Sequence, residues 1–279
     1  MVTQTRGGAQ SPQKLKFNEK LVGRGHSTDA LLKKIKALHI ELAEMDQELV
    51  EVNSLSTVRK ELIHTSILLH KDRGVKAYAA CCLADILRLY APDAPYTQSE
   101  LRDIFQFFFR QLSAGLKGVD ASYYNEYFHL LESLSTVKTV VLVCDLENAD
   151  ELMVEIFRDF FNLVRRDLAK KIEMFIADIL VALIDECQSL PSEVLETIMA
   201  QFMDKSAVNH PPVLSLNICS PFHRSVWNSL LTVLPYKSAM RPLINCSAMS
   251  ANILLTSLWL TRRMKNSKKS ELHTNSSSS

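Results

Sequence analysis

Glycine is scarce in this 279-residue sequence, which contains seven glycines and none after Gly118. Loops that bind phosphate groups need glycine so that the backbone can approach the phosphates, and neither a Walker loop nor a dinucleotide-binding fingerprint can be formed here. The H-E-x-x-H and G-x-S-x-G motifs are also absent. We therefore expect a protein that is not an enzyme, with no catalytic residues and no cofactor.

The sequence also lacks a recognisable metal-binding pattern. Its six cysteines include no C-x-x-C pair, and no secretory signal opens the chain, which favours a reducing compartment. Cys219 and His223 lie four residues apart but have no second pair of ligands. The remaining histidines of interest occur singly on predicted helices, where we interpret them as surface or core residues and expect no metal site: His39, His64, His70 and His129.

Long apolar runs and a strong net charge are missing as well. The longest apolar stretch, around 174–184, is interrupted by Asp178 and is too short for a membrane span. The net charge is only +1, but residues 28–205 hold 29 of the 31 acidic residues and 19 of the 32 basic ones. Because a duplex-binding surface needs a basic stripe, this acidic segment argues against sequence-specific nucleic-acid binding.

What is present is a helical pattern. Apolar residues recur every three or four positions from Thr28 onward, and Thr28 is the predicted cap of the first helix. Ser56 and Asp72 start the second and third helices, Pro92 stops the third, and Thr97 begins the fourth with a capping box to Glu100. Further helices are predicted at 121–135, 137–146, 150–166, 168–189 and 192–204.

These helices predict an all-α fold, specifically a HEAT/armadillo-like α-solenoid of antiparallel helix pairs. Helices one and two, three and four, five and six, and seven and eight would form the pairs, and a compact helical bundle is the alternative. The helical-repeat domain would span 28–205. Residues 1–27 read as a disordered basic arm, and residues 206–279 as a disordered tail without the acidic helices of the preceding segment.

One connection between predicted helices has the features of a binding surface. The segment Ala91-Pro92-Asp93-Ala94-Pro95-Tyr96 contains two prolines, whereas a simple helix-to-helix turn needs only a stop signal and a cap. The second proline makes the segment rigid, so that a partner peptide would meet a preorganised surface and lose less entropy on binding. A plain structural turn remains the alternative.

The run from His70 to Thr97, H-K-D-R-G-V-K-A-Y-A-A-C-C-L-A-D-I-L-R-L-Y-A-P-D-A-P-Y-T, closely resembles the N-terminal region of a cohesin-associated family. That family is the sister-chromatid cohesion proteins called precocious dissociation of sisters protein five. Shorter pieces agree with it in order, among them M-D-Q-E at 45–48, V-R-K-E-L at 58–62 and V-K-T-V-V-L at 137–142. The resemblance covers about 28–205.

The resemblance implies a function that residue spacing does not show. It implies a nuclear, helical-repeat regulator of sister-chromatid cohesion that binds the kleisin subunit of cohesin, weakly in a chain this short, and the wings-apart-like release factor. It also implies that the turn formed by Ala91, Pro92, Asp93, Ala94, Pro95 and Tyr96 docks regulators that carry tyrosine-serine-arginine motifs. A general assembly or trafficking solenoid without a chromosomal role is the alternative.

The resemblance ends at about Ser206, which leads to a hypothesis about the tail. With suitable codons, a shift of two nucleotides over Asn245–Leu260 yields L-Q-R-N-V-C-Q-Y-F-T-D-I-I-V-A, which is similar to the family's own continuation. On this hypothesis the tail is translated out of frame and its apolar residues are not selected to pack. A genuine short isoform with its own tail is the alternative.

Overall fold

The computed structural model describes residues 11–23, 25, 27–118, 120–164, 168–187 and 190–203, with side chains to residue 198. The first ten residues of the predicted arm and the predicted tail at 206–279 lie outside the described residues. The reading-frame hypothesis concerns that tail and so also falls outside them. Helices account for its regular structure: α1 Thr28–Glu44, η1 Val52–Leu55, α2 Ser56–Leu62, α3 Thr65–Leu68, α4 Arg73–Tyr90, α5 Gln98–Gly115, α6 Tyr124–Val137, η2 Thr139–Asp145, α7 Ala149–Leu163, α8 Lys170–Glu186 and α9 Ser192–Met203, where η marks a 3₁₀ helix.

The helices form two stacked layers. In one layer α1 packs against α4, α4 against α6, and α6 against α8; in the other, α5 packs against α7 and α7 against α9. Helix α5 also contacts α4 and α6, so that buried side chains from both layers share a continuous core. The predicted all-α solenoid is confirmed for the described residues, whose one β feature is an isolated bridge between Gln13 and Val50.

Local capping chemistry sets several helix starts where the sequence places them. The Asp72 carboxylate accepts a hydrogen bond from Val75 N at 2.9 Å, and Thr97 and Glu100 form a reciprocal capping box. The first helix is a small exception, because its cap is Ser27, which accepts from Ala30 N, and not Thr28.

The second predicted helix is divided into two short ones. Helix α2 ends at Leu62, and the imidazole of His64 accepts a hydrogen bond from Ser66 N to start α3. Leu69 lies after α3 and is 74% exposed. The predicted pairing of helices one and two is therefore wrong in detail, since α1 packs against α4.

The β-branched segment after α6 is the buried 3₁₀ helix η2, whose Val140 and Val143 are fully buried. Lys138 joins α6 to η2 with a left-handed backbone at φ 58°. Among the described residues, no single helix is long and apolar enough to cross a membrane. Helix α6 and η2 pass that test only together, and they meet at a bend of 68°.

Residues 11–23, part of the arm over 1–27 for which composition predicts disorder, pack against the helices in the structure, and we call them the N-terminal strap. The strap crosses the ends of α1 and α2, and Leu21 within it is only 2% exposed. Its backbone amides donate to side chains on those helices: Phe17 N donates to Glu41 at 3.0 Å and Leu21 N to Glu61 at 2.7 Å. Because these bonds satisfy the backbone of an otherwise polar segment, the segment packs although its composition suggests a solvated tail.

Candidate partner-docking site

The predicted docking turn, residues 91–96, connects the end of α4 to the start of α5. Pro92 and Asp93 are exposed, and Ala91, Ala94 and Pro95 are partly exposed. Five of the six predicted site residues can therefore be reached from solvent at one end of the layer that contains α4.

Tyr96 differs from the other five residues because its side chain is buried, with 8% of the residue exposed. Burial raises the pKa of its phenol far above the usual value. The hydroxyl donates a hydrogen bond to the backbone oxygen of Arg59 at 3.2 Å. Tyr96 therefore anchors the turn to α2, and its ring offers little surface to a partner.

Two further side chains support the turn at its ends. Gln47 Nε2 donates to the Ala91 carbonyl oxygen at 2.8 Å, and the Arg59 guanidinium donates to the Pro95 carbonyl oxygen. The turn is thus fixed at its first and fifth residues as well as through Tyr96. Such bracing limits the conformations that a partner would have to select.

Arg88 links the same end of α4 to α1. Its guanidinium donates to Leu42 O at 2.9 Å and to Met45 O at 3.0 Å, which satisfies carbonyl groups at the C-terminal end of α1. The loop that carries Gln47 follows directly. Sequence reasoning did not assign Gln47 or Arg59 to the site, although both lie in the short segments on which the family resemblance rests.

The surface near the turn is rich in negative charge. Asp93 is exposed on the turn itself, and Asp46 and Glu48, both exposed, flank the Gln47 that contacts Ala91. The segment 91–97 itself contains no basic residue, and the basic side chain that contacts it is the half-buried Arg59, through the Pro95 carbonyl oxygen. Complementary charge steers association and disfavours wrong partners, so this surface suits a ligand with a basic side chain.

A second group of polar residues includes Asp85 of α4, six residues before the turn. His39 of α1, Asp85 of α4 and His129 of α6 converge, and one ligand atom from each lies within 4.8 Å of the others. Each histidine is single on its own helix, as the sequence indicated, and the tertiary structure brings the two together. The sequence carries no spacing signal for this group, because each residue comes from a different helix.

Comparison with known proteins identifies a family that this chain matches. The family model described as sister chromatid cohesion protein PDS5 matches residues 29–225, more than half of the chain. The match continues past residue 205, near which we expected the resemblance to end.

Individual relatives agree with this match. The sister chromatid cohesion protein pds5 of Schizosaccharomyces pombe is 38% identical over 216 residues, which cover 73% of this chain and 18% of that protein. PDS5 of Saccharomyces cerevisiae is 38% identical over 193 residues, which cover 68% of this chain and 15% of that protein. Human PDS5 homolog A is 34% identical over 175 residues, which cover 62% of this chain and 13% of that protein. The chain thus spans less than a fifth of the length of these relatives.

A solved structure has the same fold. It is described as the structure of the Pds5–Scc1 complex, and it matches with a TM-score of 0.69 and 30% sequence identity over 89% of this chain and 39% of that chain.

Proposed function

The chain belongs to the family of the sister chromatid cohesion protein PDS5, and we propose that it is a non-enzymatic, nuclear helical-repeat module that docks regulators of cohesion. The observation that supports this proposal is the braced turn at 91–96. Its backbone is fixed by Gln47, Arg59 and Tyr96, while Pro92 and Asp93 stay exposed.

The docking mechanism that we propose uses rigidity and charge. A short tyrosine-serine-arginine motif would lie against the proline surface, and its arginine would pair with Asp93. Arginine forms charge-assisted, often bidentate, hydrogen bonds with a carboxylate. Different regulators, among them a wings-apart-like release factor, would compete for the same turn because each carries a similar motif.

Binding to the kleisin subunit of cohesin is a further part of the proposal. A structurally similar chain forms a complex with Scc1, but the present chain matches only 39% of it. A solenoid binds an extended partner through successive repeats, so a chain with few repeats offers a smaller surface. We therefore expect weaker kleisin binding by this chain than by a full-length relative.

Peptide binding by charge-reversal variants tests the docking proposal. In fluorescence polarisation with a labelled tyrosine-serine-arginine peptide, Asp93→Lys should weaken binding by about tenfold or more, because it replaces an attractive pair by a repulsive one. Glu155→Lys is the matched control, since Glu155 is an exposed acid on α7. Equal affinities for the two variants would remove the turn from the binding site.

Co-purification tests the cellular role separately. The intact chain, used as bait in nuclear extract, should retain cohesin subunits or regulators with the motif, and Asp93→Lys should lose the regulators. Recovery of coat or transport proteins in place of cohesin would favour a general scaffold. In that case the peptide result would still stand as a property of the turn.

A further inference from the structure

Three neighbouring helices of one layer contribute to a single polar cluster, which we call the His–Asp–His cluster: His39 of α1, Asp85 of α4 and His129 of α6. Asp85 Oδ2 lies 3.5 Å from His39 Nδ1 and 3.8 Å from His129 Nε2. The two imidazole rings are 5.2 Å apart between centroids, in an edge-to-face arrangement. The cluster is thus built by the stacking of the repeats.

The three atoms that face one another have no hydrogen-bond partner. His39 Nδ1, Asp85 Oδ2 and His129 Nε2 are each buried, and none has a hydrogen-bond partner among the described residues. The Asp85 side chain is 3% exposed, whereas the side chains of His39 and His129 are 16% and 38% exposed. Burying polar atoms without hydrogen bonds is costly, so one carboxylate oxygen and two imidazole nitrogens that face one another call for a cation or a proton between them.

Arg88 orients the carboxylate of the cluster. Its guanidinium binds the other oxygen, Asp85 Oδ1, through Nη2 at 3.1 Å and Nε at 3.2 Å. The same guanidinium donates to Leu42 O and Met45 O, which hold it in place. Hydrogen bonds from a neighbouring side chain commonly orient a metal-binding carboxylate. Here the bonds from Arg88 hold Oδ1, so that Oδ2 faces the imidazoles.

The geometry points to a binding site for a divalent transition-metal cation such as Zn²⁺, with His39 Nδ1, Asp85 Oδ2 and His129 Nε2 as ligands. Imidazole nitrogen and carboxylate oxygen are the donor types that Zn²⁺ accepts, and three protein ligands leave a fourth position for water or another group. Because each ligand is on a different helix, the bound cation would cross-link α1, α4 and α6.

The spacing of the donor atoms suits a cation of this size. Ligand atoms about 2.1 Å from a tetrahedral Zn²⁺ lie about 3.4 Å from one another. The two distances to Asp85 Oδ2, 3.5 and 3.8 Å, are close to this value, and all three atoms lie within 4.8 Å. Small movements of the partly exposed His129 ring would close the site.

The charge of Arg88 limits the affinity. Its guanidinium places a positive charge beside the carboxylate, which opposes a dication, so we expect weaker binding than in zinc-finger sites. The competing occupant is a proton: one charged imidazole would also neutralise Asp85. Protons and Zn²⁺ differ in one measurable respect, because only Zn²⁺ adds a stoichiometric metal to the protein.

The test uses the full chain, stripped with chelator, dialysed against Zn²⁺ in the presence of a non-thiol reductant, and analysed for metal by mass spectrometry. One Zn²⁺ per chain should bind. The midpoint temperature of thermal unfolding should rise by about 5–10 °C at a free Zn²⁺ concentration about 100 times Kd. His129→Asn should reduce the affinity at least tenfold, as should His39→Asn, with circular dichroism as the check on folding.

Two control variants distinguish this cluster from other donors. His64→Asn removes a histidine outside the cluster but keeps a capping acceptor for α3. Cys144→Ser with Cys187→Ser removes the two thiols that lie 3.5 Å apart. Both should retain Zn²⁺ binding. Zn²⁺ binding that is unchanged in His129→Asn, or that is lost in the double cysteine variant, would overturn the proposal. An unfolding temperature that changes with pH but not with added Zn²⁺ would also overturn it.

Discussion

Tyr96 provides the sharpest test of how the docking turn is built. We predict that Tyr96→Ala lowers the free energy of unfolding by about 3–5 kcal/mol, the range for removal of a buried aromatic ring. The residue is only 8% exposed and packs within the main core, so the cavity left by the ring cannot be filled by solvent at little cost.

Tyr96→Phe separates the ring from its hydroxyl. This variant keeps the packing and removes the hydrogen bond to Arg59 O, which is 3.2 Å long. Because a typical intramolecular hydrogen bond stabilises by about 0.5–1.5 kcal/mol net, Tyr96→Phe should lose no more than that. The two variants together therefore distinguish the packing of the ring from the hydroxyl contact.

Urea unfolding followed by circular dichroism measures both effects, and an unchanged dependence on urea concentration would show that the two-state comparison holds. Binding of the tyrosine-serine-arginine peptide is measured in parallel. If Tyr96 is an anchor, Tyr96→Phe binds the peptide within about twofold of the natural protein. A loss of less than about 1 kcal/mol in Tyr96→Ala, with strongly reduced peptide binding, would refute the anchor and make Tyr96 a contact residue.

Three other predictions follow from local geometry. Thr97→Ala should lower the free energy of unfolding by about 1 kcal/mol in urea titrations because it removes the cap of α5, and Thr97→Ser should restore it. Gly115→Ala should destabilise the protein by about 1–3 kcal/mol in the same assay, because the added Cβ would overlap the buried ring of Tyr127; an unchanged midpoint would show that the ring can move. Burial raises the pKa of Asp85, but attraction from His129, His39 and Arg88 outweighs burial and lowers it from 3.8 to about 2. Since its folded pKa is depressed, the metal-free protein should lose stability as pH falls from about 5 towards 2, and Asp85→Asn should show a shallower loss over the same range.

The features that the sequence predicted well depend on neighbours a few positions apart. Asp72 caps α4 through Val75, and Thr97 forms a capping box with Glu100. The two residues of each capping pair are only three positions apart in the sequence. The same holds for Pro92, two residues after the last residue of α4. Apolar periodicity likewise identified the helices because burial on one face requires it.

The features that the sequence did not predict depend on distant partners. Phe17 N bonds to Glu41, 24 residues away, and Leu21 N bonds to Glu61, 40 residues away. No local pattern marks a polar segment as the one whose amides will find these carboxylates. Composition alone therefore assigned the strap to a solvated arm.

The candidate site also has some features that depend on nearby residues and others that depend on distant contacts. The proline turn and its position between two helices follow from residues 90–98, and both are observed. The burial of Tyr96 depends on where Arg59 of α2 lies, and the convergence of His39 and His129 depends on the order in which α1, α4 and α6 stack. Those relationships are properties of the tertiary structure.

The N-terminal strap also matters for anyone who shortens this chain. A truncation that starts at residue 29, where the family match begins, would remove the first residue of α1 and its cap Ser27. It would leave the other described helices whole but expose the apolar surface that Leu21 covers. Glu41 and Glu61 would lose their backbone donors. Such a fragment should aggregate more readily and unfold at lower urea than a chain that begins before residue 11, so homology alone sets the cut in the wrong place.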